Sequence, residues 1–124
     1  MHSSHDLIER FWQTMSERRF EDLAVFLHDD FTCEWPQTRE RIRGKENYIA
    51  VNANYPGEWT ITIHRILASE NEAVTLCTMA FQGQQETAIS FFELRDSLIV
   101  KEVDYWPEPY TAPDWRAQWV EMMQ

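Results

Sequence analysis

The chain has 124 residues, of which 44% are hydrophobic: enough for one domain with a real core (1–124), too few for two, and too apolar for a disordered segment. Its 21 acidic residues outnumber 11 basic ones, for a formal charge of −10, which argues against nucleic acid and anionic membrane partners. No long apolar run or leader is visible and the two cysteines, Cys33 and Cys77, have neither metal nor redox spacing, so a cytoplasmic setting with reduced thiols is expected.

The first predicted helix runs from about Ser4 to Glu17, with Ser4 as N-cap and Leu7, Ile8, Phe11, Trp12 and Met15 recurring at helical spacing. A shorter helix is expected over Phe20 to His28. Phe31 to Trp35 reads as a short strand halted by Pro36. The basic cluster Arg39, Arg41, Arg43 and Lys45 is broken by Glu40 and Glu46, and reads as a solvated loop and helix start. Gly44 precedes a third helix from Lys45 to Asn54, which the turn Tyr55-Pro56-Gly57 ends.

From there the apolar period changes from 3.6 to 2. Four long strands are predicted: Trp59 to Ser69, Ala73 to Gln82, Glu86 to Arg95 and Leu98 to Trp106. The connections are tight, which makes neighbours antiparallel, and strands of this length curl their sheet. An extended linker from Pro107 to Pro113 leads to a terminal helix with Thr111 as N-cap and Trp115, Trp119, Val120 and Met123 along one side.

The stretch richest in chemistry is the last strand. Glu102, Asp104 and Trp106 alternate with Ile99, Lys101, Val103 and Tyr105. Apolar residues on both faces mean a strand covered on both sides, and acids on a covered face point to a pocket. Alternation alone leaves open which face is inward, and it slightly favours Ile99, Val103 and Tyr105 for the core. His2 and His5 belong to the amino terminus and are expected to be inert. His64 is a lone strand histidine, read as structural or exposed. No His/Cys cluster marks a metal site, and no cofactor is expected.

This order, helix-helix-strand-helix and then four strands, with Tyr55-Pro56-Gly57 before Trp59 and a closing Asp104-Tyr105-Trp106-Pro107, resembles the SnoaL-like branch of the nuclear-transport-factor-2-like (cystatin-like α+β) superfamily. The resemblance spans nearly the whole chain. It implies an α+β fold: a strongly curved antiparallel sheet wrapped around three N-terminal helices as a cone-shaped barrel, plus a C-terminal helix. It also implies a pocket between helices and sheet, with Asp104 and Trp106 facing inward. The family's fold hosts isomerases, cyclases, dehydratases, hydrolases and binding proteins, so it does not by itself specify a function. The catalytic residues of ketosteroid isomerases are replaced here: Phe11 stands for a tyrosine, Trp35 for the base and Ser90 for the second acid. Asp104 matches the acid/base aspartate of SnoaL-type polyketide cyclases, but the accompanying histidine is again Ser90.

The candidate catalytic residues are therefore Asp104 and Glu102. The candidate ligand-binding residues are Trp35, Tyr48, Asn52, Ser90, Phe92 and Trp106. Three functions fit: a small acid/base enzyme acting on an apolar or aromatic molecule, a non-catalytic binder of the same ligand, or a structural dimer module with a filled cavity. With Glu102 and Asp104 inward, Ile89, Phe91, Ile99, Val103 and Tyr105 lie on the convex face. A patch of this size is rarely left bare, so a homodimer through the convex sheet face is expected.

Overall fold

The computed structural model describes residues 3–124, so His2 lies outside the described part. Helix α1 (Ser4–Ser16) buries Ile8, Phe11, Trp12 and Met15, one stripe at spacings of three and four. Its N-cap is Ser3 rather than Ser4: the Ser3 Oγ accepts from the backbone N–H of Asp6 at 3.1 Å. The Ser4 hydroxyl instead reaches the carbonyl of Ser69 at 2.5 Å, tying the helix to the far sheet edge. Arg18, in the left-handed region at φ 61°, ends the helical run.

The second predicted helix is a 3-10 segment, Phe20–Phe26, and Leu27 and His28 already belong to the next strand. Seven residues are too few to nucleate a stable α-helix, and 3-10 geometry is what short pieces adopt. Strand β1 (Leu27–Trp35) turns at Pro36 into β2 (Glu40–Arg43), a strand where the sequence predicts a solvated loop. Only Ile42 of β2 is buried; its charged neighbours suit an edge strand. Helix α2 (Lys45–Ala53) follows Gly44, whose φ of 89° only glycine adopts freely. Strands β3 (Thr60–Ala68), β4 (Glu72–Phe81), β5 (Gln84–Arg95) and β6 (Leu98–Tyr105) complete the sheet.

The strand order is β2-β1-β6-β5-β4-β3, a curved sheet that stays open, with β2 and β3 as edges. All neighbours are antiparallel except β1 and β6. No hairpin joins that pair; a helix and four strands intervene, so no turn dictates direction. The core fills the concave side, where Phe11, Phe31, Tyr48 and Phe92 pack edge-on or stacked with ring centroids 4.9–6.3 Å apart. Burying one such side chain contributes about 1.5–3 kcal/mol.

Two expectations are corrected. The terminal helix is a 3-10 segment, Asp114–Trp119, with Pro113 before it and nothing buried, so Thr111 is not its N-cap. Trp115 and Trp119 are each 71% exposed, so neither is a helix-packing residue of the core. Ile99 does not share the convex face with Val103 and Tyr105; it is fully buried in the core. The pairing of β5 with β6 slips by one residue between Lys101 and Ile99, leaving Val100 extra, and that bulge turns Ile99 inward. Among the described residues no helix is long and apolar enough to cross a membrane.

Candidate functional site

Register builds the site. Across the inner face, Ser90 of β5 pairs with Asp104 of β6, Phe92 pairs with Glu102, and Glu102 pairs with Cys33 of β1. All five side chains are buried. β6 thus sets both carboxyl groups on the concave face, one behind the other.

Asp104 is the hub. Its Oδ1 accepts from the Ser90 hydroxyl at 2.6 Å, and its Oδ2 from the Trp35 indole N–H at 2.9 Å and the Cys33 thiol at 3.4 Å. Glu102 has a different partner: the Tyr48 hydroxyl, from α2, lies 2.7 Å from Oε1. Burial pushes the Glu102 carboxyl well above its ordinary range, and the neighbouring Asp104 adds to the rise. Two carboxyl groups this close in a dry place share one charge. Three donors point at Asp104, whereas Glu102 is met by the Tyr48 hydroxyl and its burial favours the protonated form. Burial and the same two acids also drive the Cys33 thiol far upward, which keeps it a neutral donor, and they raise the Tyr48 phenol.

A cavity of about 90 Å³ opens between the helices and the inner sheet face. Asp104, Trp35, Trp106, Tyr48 and Asn52 line it. Trp35 and Trp106 meet edge to face at 5.4 Å, forming one aromatic wall. Glu102, Ser90 and Phe92 are not on its surface; they stand behind it, holding Asp104 and Tyr48 in place. The Asn52 amide N–H₂ donates to the carbonyl of Tyr48 at 2.9 Å, so one end of that side chain is tied to its own helix. His64 is remote from the cavity: it is the extra residue of a bulge in β3, with Nε2 2.6 Å from the Thr78 hydroxyl.

Several wall residues carried no chemical signal in the sequence. Trp12 and Met15 look like ordinary core residues of an amphipathic helix, yet both reach the cavity. The Trp12 indole N–H donates to the Thr75 hydroxyl at 3.1 Å. Arg18 and Glu86 bring charge to the lining, and Trp59 closes one side, stacked obliquely on Phe81 at 5.4 Å. The sequence around Cys33 marks it only as a reduced thiol. Its place beside Asp104 follows from the β1–β6 pairing, which no local pattern announces.

The ligating atoms of Cys33, Glu102 and Asp104 lie within 4.8 Å of one another, a donor set a metal ion could in principle span. The chemistry fits poorly. The Asp104 oxygens already accept from Ser90, Trp35 and Cys33, and Glu102 accepts from Tyr48, so each carboxyl is already engaged by protein donors. The set fits a hydrogen-bonded carboxylate instead.

A family model described as SnoaL-like domain matches residues 8–102. A proposed ketosteroid isomerase from Kribbella flavida DSM 17836 is similar at 32% identity and a TM-score of 0.94, with 98% of this chain and 90% of that chain covered. An NTF-2 like protein of unknown function from Burkholderia xenovorans LB400 has 29% identity and a TM-score of 0.84, over 98% of this chain and 95% of its own. An LEH-like epoxide hydrolase from M. tuberculosis shares the fold, with 24% identity, a TM-score of 0.71 and coverage of 84% and 82%. No curated protein matches. With its sheet, its inward-facing aspartate on the last strand and a family match over most of its length, the chain belongs to the SnoaL-like family.

Proposed function

We propose that this protein is a small acid/base enzyme of the isomerase, cyclase or lyase type, acting on an apolar or aromatic carbonyl compound. The observation that carries the reading is an aspartate, Asp104, that accepts three hydrogen bonds at the wall of an aromatic cavity, with a second carboxyl, Glu102, buried directly behind it. Asp104 takes a proton from the carbon beside the carbonyl and returns it elsewhere. Glu102 and its Tyr48 partner position Asp104 and set its local charge. Trp35 and Trp106 stack on the ligand and exclude water. The ketosteroid isomerase named among the similar structures supports proton transfer next to a carbonyl as the class of chemistry. The steroid reaction itself is not carried over, because Phe11, Trp35 and Ser90 stand where its catalytic residues would be.

We assign it to a homodimer formed through the convex sheet face and to a reducing, cytoplasmic setting, which two free buried thiols support. Non-catalytic binding is the second reading. It is favoured by the three donors that already occupy the oxygens of Asp104.

One experiment separates them. Protein is incubated in deuterated water with a panel of cyclic and aryl ketones, and deuterium uptake is read by mass spectrometry. The enzyme reading expects uptake by wild type and at least a hundredfold slower uptake by Asp104→Asn, with folding intact by circular dichroism. Uptake unchanged in Asp104→Asn removes Asp104 as the base. No uptake from any ketone, with ketones still raising the melting temperature, supports the binder.

A further inference from the structure

The convex side of the sheet carries an apolar patch laid out by the strand register. Leu67, Val74, Phe91 and Val103 lie side by side across β3 to β6, and Leu76, Ile89 and Tyr105 form the adjoining row. Leu67 is 55% exposed, Phe91 50% and Tyr105 39%. Phe91 and Tyr105 meet edge to face at 6.0 Å. The patch ends at Glu93 and Lys101, with the Lys101 ammonium between Glu34 and Glu93 at 3.6 and 3.9 Å.

The same chain holds a second apolar surface without a partner. From Pro107 onward the backbone leaves the sheet, and residues 107–124 bury no side chain. Trp115 and Trp119, and Met122 and Met123 beyond them, are 71–96% exposed. The segment Asp114–Trp119 has no side-chain cap. Six residues of 3-10 helix do not hold together alone in water; they need a surface. The tail is not peculiar to this chain, since the Kribbella flavida protein matches over 98% of it, which leaves room for only a few unmatched residues.

We propose that two copies exchange tails, Trp115 and Trp119 of each docking on the Phe91–Tyr105 patch of the other. Both surfaces are apolar, and every chain carries one of each. A two-fold axis therefore covers both at once and leaves nothing open for further growth. The tail's exit supports the direction. Gln37 brackets Trp106 with both ends of its amide, donating to the Trp106 carbonyl at 3.0 Å and accepting from its N–H. The chain is thereby held as it leaves β6, and none of the side chains from Pro107 onward is buried. This inference rests on the dimer assignment above and adds to it a component that a plain sheet-to-sheet dimer lacks.

The test uses full-length chains and light scattering at micromolar concentration. Wild type is expected at about twice the chain mass of 14.9 kDa. Trp115→Ser/Trp119→Ser and Phe91→Glu should each raise the dimer dissociation constant at least tenfold. Mixing the two variants should restore dimer, because an intact tail then meets an intact face once per pair. Val120→p-benzoylphenylalanine adds a readout in a nearly unaltered chain: irradiation should give a cross-linked band of about 30 kDa under denaturing conditions. A wild-type monomer overturns both the dimer and the exchange. A dimer indifferent to the tail variant, a mixture without recovery, or a cross-link within one chain overturns the exchange alone.

Discussion

Glu102 is the residue whose environment is most unusual, and Tyr48 makes it tolerable. An unpaired buried carboxyl is costly, and here a phenol from the facing helix meets it at 2.7 Å. Tyr48→Phe leaves that oxygen without a partner, and chemical denaturation should show a loss of about 1–3 kcal/mol. Glu102 also makes stability depend on pH. Its pKa is raised in the folded protein, first by burial and then by Asp104, so the folded state holds a proton that the unfolded chain releases. That contribution is complete below the unfolded carboxyl range, about 4.3, and fades as pH rises through the folded value. Glutamine keeps the shape and cannot ionise. Denaturant midpoints of Glu102→Gln should therefore gain on wild type steadily from about pH 5 to 8. A constant difference would mean that Glu102 is charged in the folded protein. The alternation of acids and apolar residues made this strand conspicuous in the sequence. What it could not show is which partners the acids meet, because Cys33, Tyr48 and Ser90 come from three other elements.

At the scale of elements, the legible parts were those with a strong local period. Helix α1 and the four long strands follow directly from spacing, helix α2 from the Gly44 before it and the turn that stops it, and the family resemblance oriented β6. The misread parts each have a competing cause. β2 has one buried side chain, too few for any alternation to register. The bulge at Val100 adds one residue to β6 and so reverses the face of everything before it, Ile99 first. The predicted C-terminal helix had good spacing of its tryptophans, but spacing presumes a surface to pack on, and its own chain offers none. The turn Tyr55-Pro56-Gly57 was read correctly, and its glycine is constrained twice. Its φ is 95°, and a Cβ there would come within 2.9 Å of the Phe81 ring and 3.0 Å of the Trp59 indole nitrogen. The Trp59 ring lines the cavity, and Phe81 packs behind it. Gly57→Ala should destabilise by more than about 1 kcal/mol. It should also weaken ligand binding, by calorimetry or melting-temperature shift, because Trp59 must move. Unchanged affinity in the folded variant would mean that the rim does not take part in binding.

For the molecule as a whole, topology was the least readable feature. The hairpin order of β3 to β6 follows from short turns, but the parallel contact of β1 with β6 joins residues some seventy positions apart. Sequence patterns are silent at that range, and the expected wholly antiparallel sheet does not contain this parallel pair. Long-range pairing also slows folding. Refolding after denaturant dilution is expected in the millisecond-to-second range, with tryptophan fluorescence and circular dichroism changing together. A fluorescence change well ahead of the sheet signal would mean that the aromatic cluster around Trp35 and Trp106 assembles without β6.

The position of β6 has one more consequence, for the order in which the protein comes into being. It is the last strand in the chain, yet it sits between β1 and β5. Until it has been made, a growing chain holds two unconnected fragments, the β1–β2 hairpin and the β3–β4–β5 meander, each with a bare edge waiting. β6 is the keystone that joins them, and it carries Glu102 and Asp104 with it. The sheet and its acid pair are therefore completed by a single late event, and no partly built form of the molecule can hold Asp104 in its aromatic wall.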